Sequence, residues 1–316
     1  DDTWDDAYVD GIAQARLTQK LATTAGNAQL TGIAQIAEAA IFGEMAALFG
    51  DIPYSEAVDP DNFPNPAYDS QASVLSGIQG LLDQAIANVG SSAATLYAGN
   101  RMSSSGTWAK IAYSLKARYY LIAKDYPNAL INARKGIQTP AESLVTLHTT
   151  SSDTENLYFQ FTVDERDGYL GATGSHLSKL LNGTTPRVIN TPGDAARFSK
   201  YFDTNGSLLI LNVSNTGYFA ETASMNLISY QEVKLIEAEA ANRTGDIGGD
   251  VAAFNEIRTH LGNVFGGGFP RNYIPSYSWG GSHGLTTYNL IKSFDVATAV
   301  YGRRKVEFIL RLSAII

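Results

Sequence analysis

The 316 residues of this chain are enough for one large domain or two ordinary ones, and a folded chain of this length buries about 75% of its unfolded surface. Hydrophobic residues make up 44%, which excludes a mostly disordered protein, and the absence of Cys excludes disulfides, thiolate metal sites and cysteine nucleophiles. The net charge of -8, without any basic run, argues against a nucleic-acid partner.

The first half of the chain has the pattern of successive amphipathic helices. Apolar residues recur every three or four positions in three stretches, and each stretch predicts one apolar face that packs on a neighbour. The three sets are Ile33, Ala37, Ile41, Met45 and Leu48; Leu75, Ile78, Leu82, Ala85 and Val89; and Trp108, Ile111, Ala112, Leu115, Tyr119 and Ile122. From the sequence we expect no apolar run long enough to span a membrane.

Two helical hairpins are predicted, one in each half of the chain. In the first, Lys124 lies in the turn and Pro127 suits the first position of the next helix. In the second, the turn NRTGD at 242–246 separates two helices with apolar stripes. Both combine a small-residue helix end, an acidic turn and an Ala-rich helix. This layout is typical of tetratricopeptide repeats, whose stacked helix pairs build a curved scaffold.

The residues between the hairpins have a different composition. Gly, Thr, Ser, Asn and Pro dominate residues 140–225, where Leu208–Leu211 resembles a short strand, and a second irregular stretch covers 262–284. Long loops of this kind are often functional. We therefore predict an all-α fold, in which a helical-repeat scaffold carries long loops within a single domain over 1–316.

Aromatic and polar residues are concentrated in GGGFPRNYIPSYSWGGSHG, residues 266–284. Flat rings can cover the apolar C–H face of a sugar while amide, guanidinium and hydroxyl groups bind its hydroxyls, and the same set suits a peptide. Packing of this loop onto the helices is an equally open interpretation. Trp279 is the first candidate ligand-binding residue and Tyr277 the second, and Tyr273, Arg271 and Asn272 complete the candidate set. Phe63 and Tyr97 are weaker candidates in earlier loops.

Signals for catalysis are weak. GGSHG, residues 280–284, fits the G-x-S-x-G pattern, but that serine needs a preceding strand and a following helix, and here it lies in a Gly- and Pro-rich loop. Ser282 and His283 are therefore interpreted as loop residues. None of the four histidines lies in an H-E-x-x-H arrangement. We expect no catalytic residue, no metal and no cofactor.

Two groups of acidic residues need an interpretation. Asp59, Asp61 and Asn62 could offer oxygens to a hard cation, but Pro60 interrupts them, which favours a solvated acidic loop. Carboxylates two positions apart on one helix, as in the 237–239 segment, point to different sides and cannot form a glycosidase pair unaided.

Four segments in sequence order resemble signatures of one protein family. They are LFGDIPYSEA (48–57), GTWAKIAYSLKARYYL (106–121), SYQEVKLIEAEAANRTGD (229–246) and FNEIR (254–258). They resemble the SusD/RagB family of outer-membrane nutrient-binding lipoproteins. The family's lipidated cysteine and its usual C-terminal tail are missing, so we expect the chain to lack N- and C-terminal parts.

The resemblance implies a non-enzymatic protein, anchored by lipid to the outer membrane and facing outward. It would capture an oligosaccharide, or less often a peptide, and deliver it to a SusC-like TonB-dependent transporter. Its helical repeats would face the transporter and its loops would hold the ligand. Two alternatives stay open: a helical-repeat structural or interaction protein that assembles with itself or a protein partner and binds no small ligand, and a hydrolase that uses Ser282.

The segment ENLYFQF, residues 155–161, matches an engineered protease-cleavage tag in its first six letters. It lies in mid-chain, where family members often carry a similar stretch, so it is interpreted as native sequence. Its aromatic residues are interpreted as loop packing. Trp4 and Trp108, on apolar stripes, are interpreted as core residues.

Overall fold

The computed structural model describes residues 2–97, 101–182 and 194–265, and helices dominate this part of the chain. The α-helices are α1 (Asp2–Asp6), α2 (Ala13–Thr24), α3 (Ala28–Phe49), α4 (Gln71–Val89), α5 (Trp108–Ile122), α6 (Tyr126–Lys135), α7 (Leu157–Phe159), α8 (His176–Leu181), α9 (Asp194–Tyr201), α10 (Tyr230–Arg243) and α11 (Ile247–Phe265). A π-helical turn, Ala7–Ile12, joins α1 to α2, and a second, Gln160–Glu165, follows α7. The predicted helical class is confirmed.

Local side-chain caps explain where the long helices begin. Asn27, Ser70 and Thr107 each accept a hydrogen bond from a backbone N–H in the first turn of α3, α4 and α5 respectively. Asp125 caps α6 in the same way, and Pro127 is the second residue of α6, one position later than predicted. The first N–H groups of a helix lack intrahelical partners, and each such cap contributes about 1 kcal/mol.

Both predicted helical hairpins are present. Helix α5 packs on α6, α10 packs on α11, and α10 also contacts α5 and α6. Each turn contains one residue with a positive φ, Lys124 (61°) in the first and Gly245 (84°) in the second. Gly adopts this conformation without steric cost. Packing of the second pair on the first reproduces the stacking expected of tetratricopeptide-type repeats.

Helix α3 lies at the centre of the scaffold, in contact with α2, α4 and α5. The prediction that it has one apolar face is wrong, because every residue from Thr31 to Ala46 except Ala37 is buried. Its small residues allow close approach: a Cβ on Gly43 would lie 2.1 Å from the Tyr119 ring.

Helix α3 also has the length and composition of a membrane-spanning helix, with a mean hydropathy of 1.4 over its most apolar window. The expectation that no apolar run is long enough to span a membrane overlooked this helix. However, 72% of that window is buried inside the protein. The helix is therefore apolar because neighbouring helices surround it.

A buried arginine connects three of the helices. The Nη1 atom of Arg118 in α5 donates to Glu44 of α3 at 2.8 Å, and its Nη2 atom donates to Glu232 of α10 at 2.7 Å and to the carbonyl oxygen of Leu227 at 2.9 Å. Burial alone would lower the pKa of Arg118, but the two carboxylates outweigh it and raise the pKa. The guanidinium is thus charged and paired, with a hydrogen bond from each of its nitrogens, as a buried charge requires.

Two small antiparallel sheets complete the described structure. The strands are β1 (Met102–Ser103), β2 (Leu144–Thr146), β3 (Phe202–Asn205), β4 (Leu208–Leu211) and β5 (Met225–Ile228). The first sheet has the order β1-β2-β5, and β3 pairs with β4 as a hairpin, which confirms the predicted strand at β4. Met102, Leu144 and Ile228 belong to the main helical core, so the first sheet ties the loop-rich insert to the scaffold.

The insert at 140–225 contains more regular structure than its composition indicated. Helices α7, α8 and α9 all lie within it. Their apolar residues form two small clusters outside the main core, one around Tyr158 and Phe219 and one around Leu177 and Phe202. These short helices were missed because Gly, Ser, Thr and Asn hide a weak helical periodicity.

Candidate functional site

The five predicted ligand-binding residues lie outside the described residues. They are Arg271, Asn272, Tyr273, Tyr277 and Trp279. Ser282 and His283 of the GGSHG segment also lie outside the described residues. The roles assigned to these residues therefore stay predictions.

The two weaker candidates, Tyr97 and Phe63, are among the described residues. Tyr97 is 44% exposed, has a φ of 61°, and its hydroxyl accepts a hydrogen bond from Asn27 Nδ2 at 2.9 Å. It therefore lies beside the N-terminal end of α3. Phe63 is 38% exposed and lies in the loop that follows the other end of α3. The two thus lie in different loops, Phe63 before α4 and Tyr97 after it.

Three aromatic side chains from separate parts of the chain meet at the C-terminal end of α3. They are Trp4 in α1, Phe49 at the end of α3 and Tyr68 in the loop before α4. The ring centroids of Trp4 and Phe49 are 5.1 Å apart and edge-to-face, and those of Trp4 and Tyr68 are 6.2 Å apart with 22° between the planes. Phe49 is 46% exposed and Tyr68 is 66% exposed. We call these three residues the aromatic ledge.

The aromatic ledge rests on a series of rings that leads into the core. The centroid of Tyr8 is 5.3 Å from that of Trp4 and 6.3 Å from that of Phe42, and Phe42 is 4.7 Å from Tyr54. The Tyr8 hydroxyl donates to the carbonyl oxygen of Pro53 at 2.7 Å. Burial raises the pKa of both Tyr8 and Tyr54, so neither hydroxyl ionises at neutral pH. The ledge is therefore supported by packed side chains.

Tyr68 is positioned by the residue that follows it. Backbone hydrogen bonds between Ile52 and Asp69, at 2.9 and 3.1 Å, close the loop between them. Asp69 Oδ2 accepts from the backbone N–H of Ser55 at 2.8 Å, the Ser55 hydroxyl at 2.9 Å and the backbone N–H of Tyr54 at 3.1 Å. These hydrogen bonds, led by that from the Ser55 backbone, lower the pKa of Asp69. An ionised Asp69 thus holds both ends of the loop.

Arg16 of α2 fastens the same loop to the scaffold. Its Nε donates to Glu38 Oε1 at 2.8 Å, and its two remaining nitrogens donate to the carbonyl oxygens of Ala57 and, at 3.4 Å, Tyr54. The guanidinium carbon lies 5.5 Å from the centroid of the Phe42 ring. Every nitrogen of Arg16 is therefore used inside the protein.

The acidic tip of this loop shows no arrangement for a metal ion. Asn62 Nδ2 donates to both carboxylate oxygens of Asp59, at 3.0 and 2.8 Å, which occupies the oxygens that a cation would need. In residues 2–97, 101–182 and 194–265, no group of three or more His, Asp or Glu is placed to hold a metal. The solvated interpretation of the loop agrees with this geometry, since Asp61 and Asn62 are exposed.

The acidic residues of α10 serve structure. Glu237 accepts from Lys234 Nζ at 3.0 Å and from Arg134 Nε at 3.2 Å. Glu239 instead pairs with Arg243 at 3.6 Å. The prediction that Glu237 and Glu239 point to different sides is confirmed, so they do not form a pair around a substrate.

The ENLYFQF segment is part of the fold. The side chain of Asn156 accepts from the backbone N–H of Tyr158 at 2.9 Å and donates to the carbonyl oxygen of Ala223 at 2.8 Å. Tyr158 is buried, and its ring centroid lies 5.0 Å from that of Phe219. The packing role predicted for Tyr158 is confirmed.

Glu155, at the start of this segment, is a buried carboxyl group. It is 5% exposed, and its side chain is hydrogen-bonded to that of Asp164. Burial, and then the Asp164 carboxyl with further acidic neighbours, raises the pKa of Glu155 to about 7. The folded protein therefore favours the protonated form of Glu155, and its contact with Asp164 joins the loop to the π-helical turn most firmly in that form.

An internal cavity of ≈50 Å³ lies between α3, α5 and the first sheet. Apolar side chains line it, including those of Ile36, Trp108 and Leu227. Ligand pockets usually have volumes of roughly 300–1,000 Å³, so this cavity is a packing defect and cannot hold a sugar.

The sequence reading missed the aromatic ledge. Trp108 is buried, and its Nε1 donates to the carbonyl oxygen of Leu96 at 3.0 Å, so its predicted core role is confirmed. Trp4 is only partly buried, at the edge of the core, so the core interpretation was incomplete. In the sequence, Phe49 could have indicated this surface, because it is a large apolar residue at the exposed end of a helix and directly before a glycine.

Comparison with known proteins agrees with the motifs. Residues 1–255 match the model of a SusD-like family described as starch-binding and associating with the outer membrane. None of the curated proteins shows significant similarity to the chain.

Solved structures share the fold. A chitin-binding SusD homologue from Flavobacterium johnsoniae has a TM-score of 0.61 and 16% identity, with 88% of this chain and 67% of that chain covered. A SusD homologue from Bacteroides uniformis has a TM-score of 0.60 and 20% identity, with 81% and 57% covered. A Bacteroides vulgatus protein provisionally assigned to the outer membrane and to nutrient binding has a TM-score of 0.58 and 19% identity, with 96% and 69% covered.

The chain thus spans 57 to 69% of the length of these three proteins. At such low identities the structural likeness demonstrates the tetratricopeptide-like helical fold alone. The family model covers most of the chain, and the resemblance read from four motifs is confirmed. The chain therefore belongs to the SusD-like family, whose members are nutrient-binding proteins associated with the outer membrane.

Proposed function

We propose that this protein is a non-enzymatic cell-surface protein that captures an oligosaccharide, or a peptide, and delivers it to a TonB-dependent outer-membrane transporter. Membership of the SusD-like family supports the general role. The observation in this chain that carries the proposal is the aromatic ledge, where large rings remain exposed at the surface although the surrounding scaffold is well packed. Exposed aromatic groups of this kind mark binding surfaces.

The chemistry of the aromatic ledge suits a sugar. A pyranose ring has an apolar face of C–H groups, which an aromatic ring can cover while the sugar hydroxyls remain in water. Tyr68 stacks on Trp4 with 22° between the ring planes and is 66% exposed, so the surface of its ring that Trp4 does not cover is open to a sugar. The exposed carboxylates of Asp5 and Asp51, next to the ledge in sequence, are acceptors for sugar hydroxyls.

Capture on such a surface requires no bond to be made or broken. Trp4 packs on Tyr8, which in turn packs on Phe42, so little conformational entropy of Trp4 is lost when a ligand binds. Among residues 266–284, Trp279 and Tyr277 are proposed as further ligand contacts, together with Tyr273, Arg271 and Asn272.

Delivery requires a partner and a location. We propose that the stacked helix pairs α5–α6 and α10–α11 face a SusC-like transporter, and that the protein is held by a lipid anchor on the outward face of the outer membrane. The description of the family as associating with the outer membrane supports this location. No cofactor takes part in this mechanism.

One observation favours a second function, that of a helical-repeat protein that assembles with itself or with a protein partner. Leu17 and Leu21, one turn apart on α2, are 49% and 61% exposed, and Val9 in the preceding π-helical turn is 64% exposed. Exposed apolar residues grouped along one helical segment are typical of protein interfaces.

Retention on polysaccharide- and peptide-containing affinity gels separates the two functions. We expect the wild-type protein to be retained selectively, and Tyr68→Ala and Trp279→Ala each to lose most of the retention without unfolding. Tyr169→Ala is the matched control, because Tyr169 is 78% exposed and lies in the insert. Absence of retention on every gel, together with stable self-association in solution, would favour the assembly function.

A further inference from the structure

The charge around the aromatic ledge has one sign. Residues 2–10 and 51–70, which carry Trp4 and Tyr68, contain no Lys and no Arg. Their acidic residues are Asp2, Asp5, Asp6, Asp10, Asp51, Glu56, Asp59, Asp61 and Asp69. The two segments that carry Trp4 and Tyr68 therefore have a net negative charge.

The side chain of Arg16 reaches this region from α2, but it is already bound within the protein. Arg16 binds Glu38 and the carbonyl oxygens of Tyr54 and Ala57, and it lies over the Phe42 ring. Such an arginine cannot turn toward a ligand without releasing the loop that positions the ledge. No compensating positive charge is thus offered to an anion by residues 2–10, by Arg16 or by residues 51–70.

The carboxylate nearest in sequence to Tyr68 is charged under physiological conditions. Asp69 accepts three hydrogen bonds, from Tyr54 and Ser55, and these lower its pKa. A carboxylate held in this way keeps its negative charge while a ligand binds. It repels anionic groups, and the uncharged hydroxyls of a sugar do not experience this repulsion.

We infer that the aromatic ledge binds uncharged glycans and rejects polyanionic ones, such as polyuronates and sulfated polysaccharides. This inference rests on the proposed function, because it specifies the ligand class of the same site. A polyanion carries charge on most of its sugar units, so its repulsion accumulates along the chain, whereas a neutral glycan binds through ring stacking and hydrogen bonds. The repulsion should weaken as salt is added, because ions screen exposed charges beyond about 10 Å at 0.1 M ionic strength.

The test is affinity electrophoresis at low and high salt through gels that contain one polymer each. The uncharged polymers are amylopectin, laminarin and chitin oligomers coupled to the matrix, and the anionic polymers are polygalacturonate and heparin. We expect retention by at least one uncharged polymer, loss of that retention in Tyr68→Ala, and no retention by either polyanion at low salt.

A charge variant tests the cause. Asp5→Lys combined with Asp51→Asn removes negative charge beside the ledge. The amide introduced by Asp51→Asn keeps an acceptor for the backbone N–H of Gln71, which Asp51 Oδ1 binds at 2.9 Å. Asp167→Lys combined with Asp203→Asn changes the net charge equally in the insert. We expect the first variant to bind polygalacturonate about tenfold more tightly than the control variant at low salt, with the gain lost at high salt.

The outcomes separate the inference from the proposed function. If gels with polyanions retain the protein as strongly as gels with neutral polymers, and Tyr68→Ala abolishes both kinds of retention, the inference is wrong and the glycan-capture function stands. Equal polygalacturonate binding by the two charge variants would also overturn the inference. If no polymer of any charge is retained through Tyr68, the proposed function fails at this site and the inference fails with it.

Discussion

Replacement of Tyr68 by Ala is the most direct test of the aromatic ledge. Tyr68 is 66% exposed, and a large aromatic side chain can bury about 200 Å² of surface, which leaves roughly 130 Å² for a ligand. If a sugar covers one face of the ring, it buries about 65 Å² of the Tyr68 surface. At ~25 cal/mol per Å², this burial contributes ~1.6 kcal/mol to the binding free energy. This value corresponds to a loss of affinity of roughly 15-fold.

The assay is isothermal titration with the glycan that the wild-type protein retains. Tyr68→Phe keeps the ring and loses only the hydroxyl, so we expect nearly wild-type affinity if stacking provides the binding energy. Tyr169→Ala should leave the affinity unchanged. Thermal unfolding of all variants should match that of the wild type, because an exposed ring contributes little to the core.

A loss of less than twofold for a folded Tyr68→Ala protein would refute the reasoning, because the ring could not then be covered by the ligand. A large loss for Tyr68→Phe would assign the binding energy to the hydroxyl group instead. The first result would move the ligand to another part of the chain, with Trp279 as the next candidate contact, whereas the second would keep the ligand at Tyr68.

Two further predictions concern the scaffold. Arg118→Ala should lower the free energy of unfolding in urea by about 3–5 kcal/mol, because it leaves buried carboxylates unpaired. Arg134→Ala, which removes a more exposed ion pair, should lower it by ~1 kcal/mol or less. Equal losses in the two variants would contradict the structural role of Arg118. Because the folded-state pKa of Glu155 is raised from 4.5 to about 7, its contribution to stability is complete below pH 4.5 and lost as the pH rises through 7. After allowance for partial solvent screening, the free energy of unfolding of the wild type should fall by about 1–2 kcal/mol between pH 4.5 and 8 relative to that of Glu155→Gln. Parallel plots of unfolding free energy against pH for the two proteins would refute this role of protonated Glu155.

The helical hairpins could be predicted from the sequence because their signals are local. Periodic apolar residues, the Asp125 cap, Pro127 and the NRTGD turn all act within a few residues of the backbone that they shape. The strand at 208–211 was predicted from its local apolar run, and the structure pairs it with 202–205 as a hairpin.

The complete burial of α3 could not be predicted from its sequence pattern. Its apolar pattern indicated one buried face, yet Glu38 and Glu44 are also buried, because Arg16 and Arg118 from other helices pair with them. A charged residue is read as exposed unless its partner is known, and these partners lie 22 and 74 residues away. The complete burial of α3 thus depends on how three further helices pack around it.

By itself the sequence determined the helical class, the two hairpins and membership of the SusD-like family, because periodicity, caps and motifs are properties of short segments. Only the tertiary structure decided where an exposed aromatic surface forms. Trp4, Phe49 and Tyr68 are distant in the chain, and they meet because α1 packs beside the end of α3 and the hydrogen bonds of Asp69 close the loop that carries Tyr68. Contacts of this kind depend on the whole fold, so no pattern within one segment predicts them.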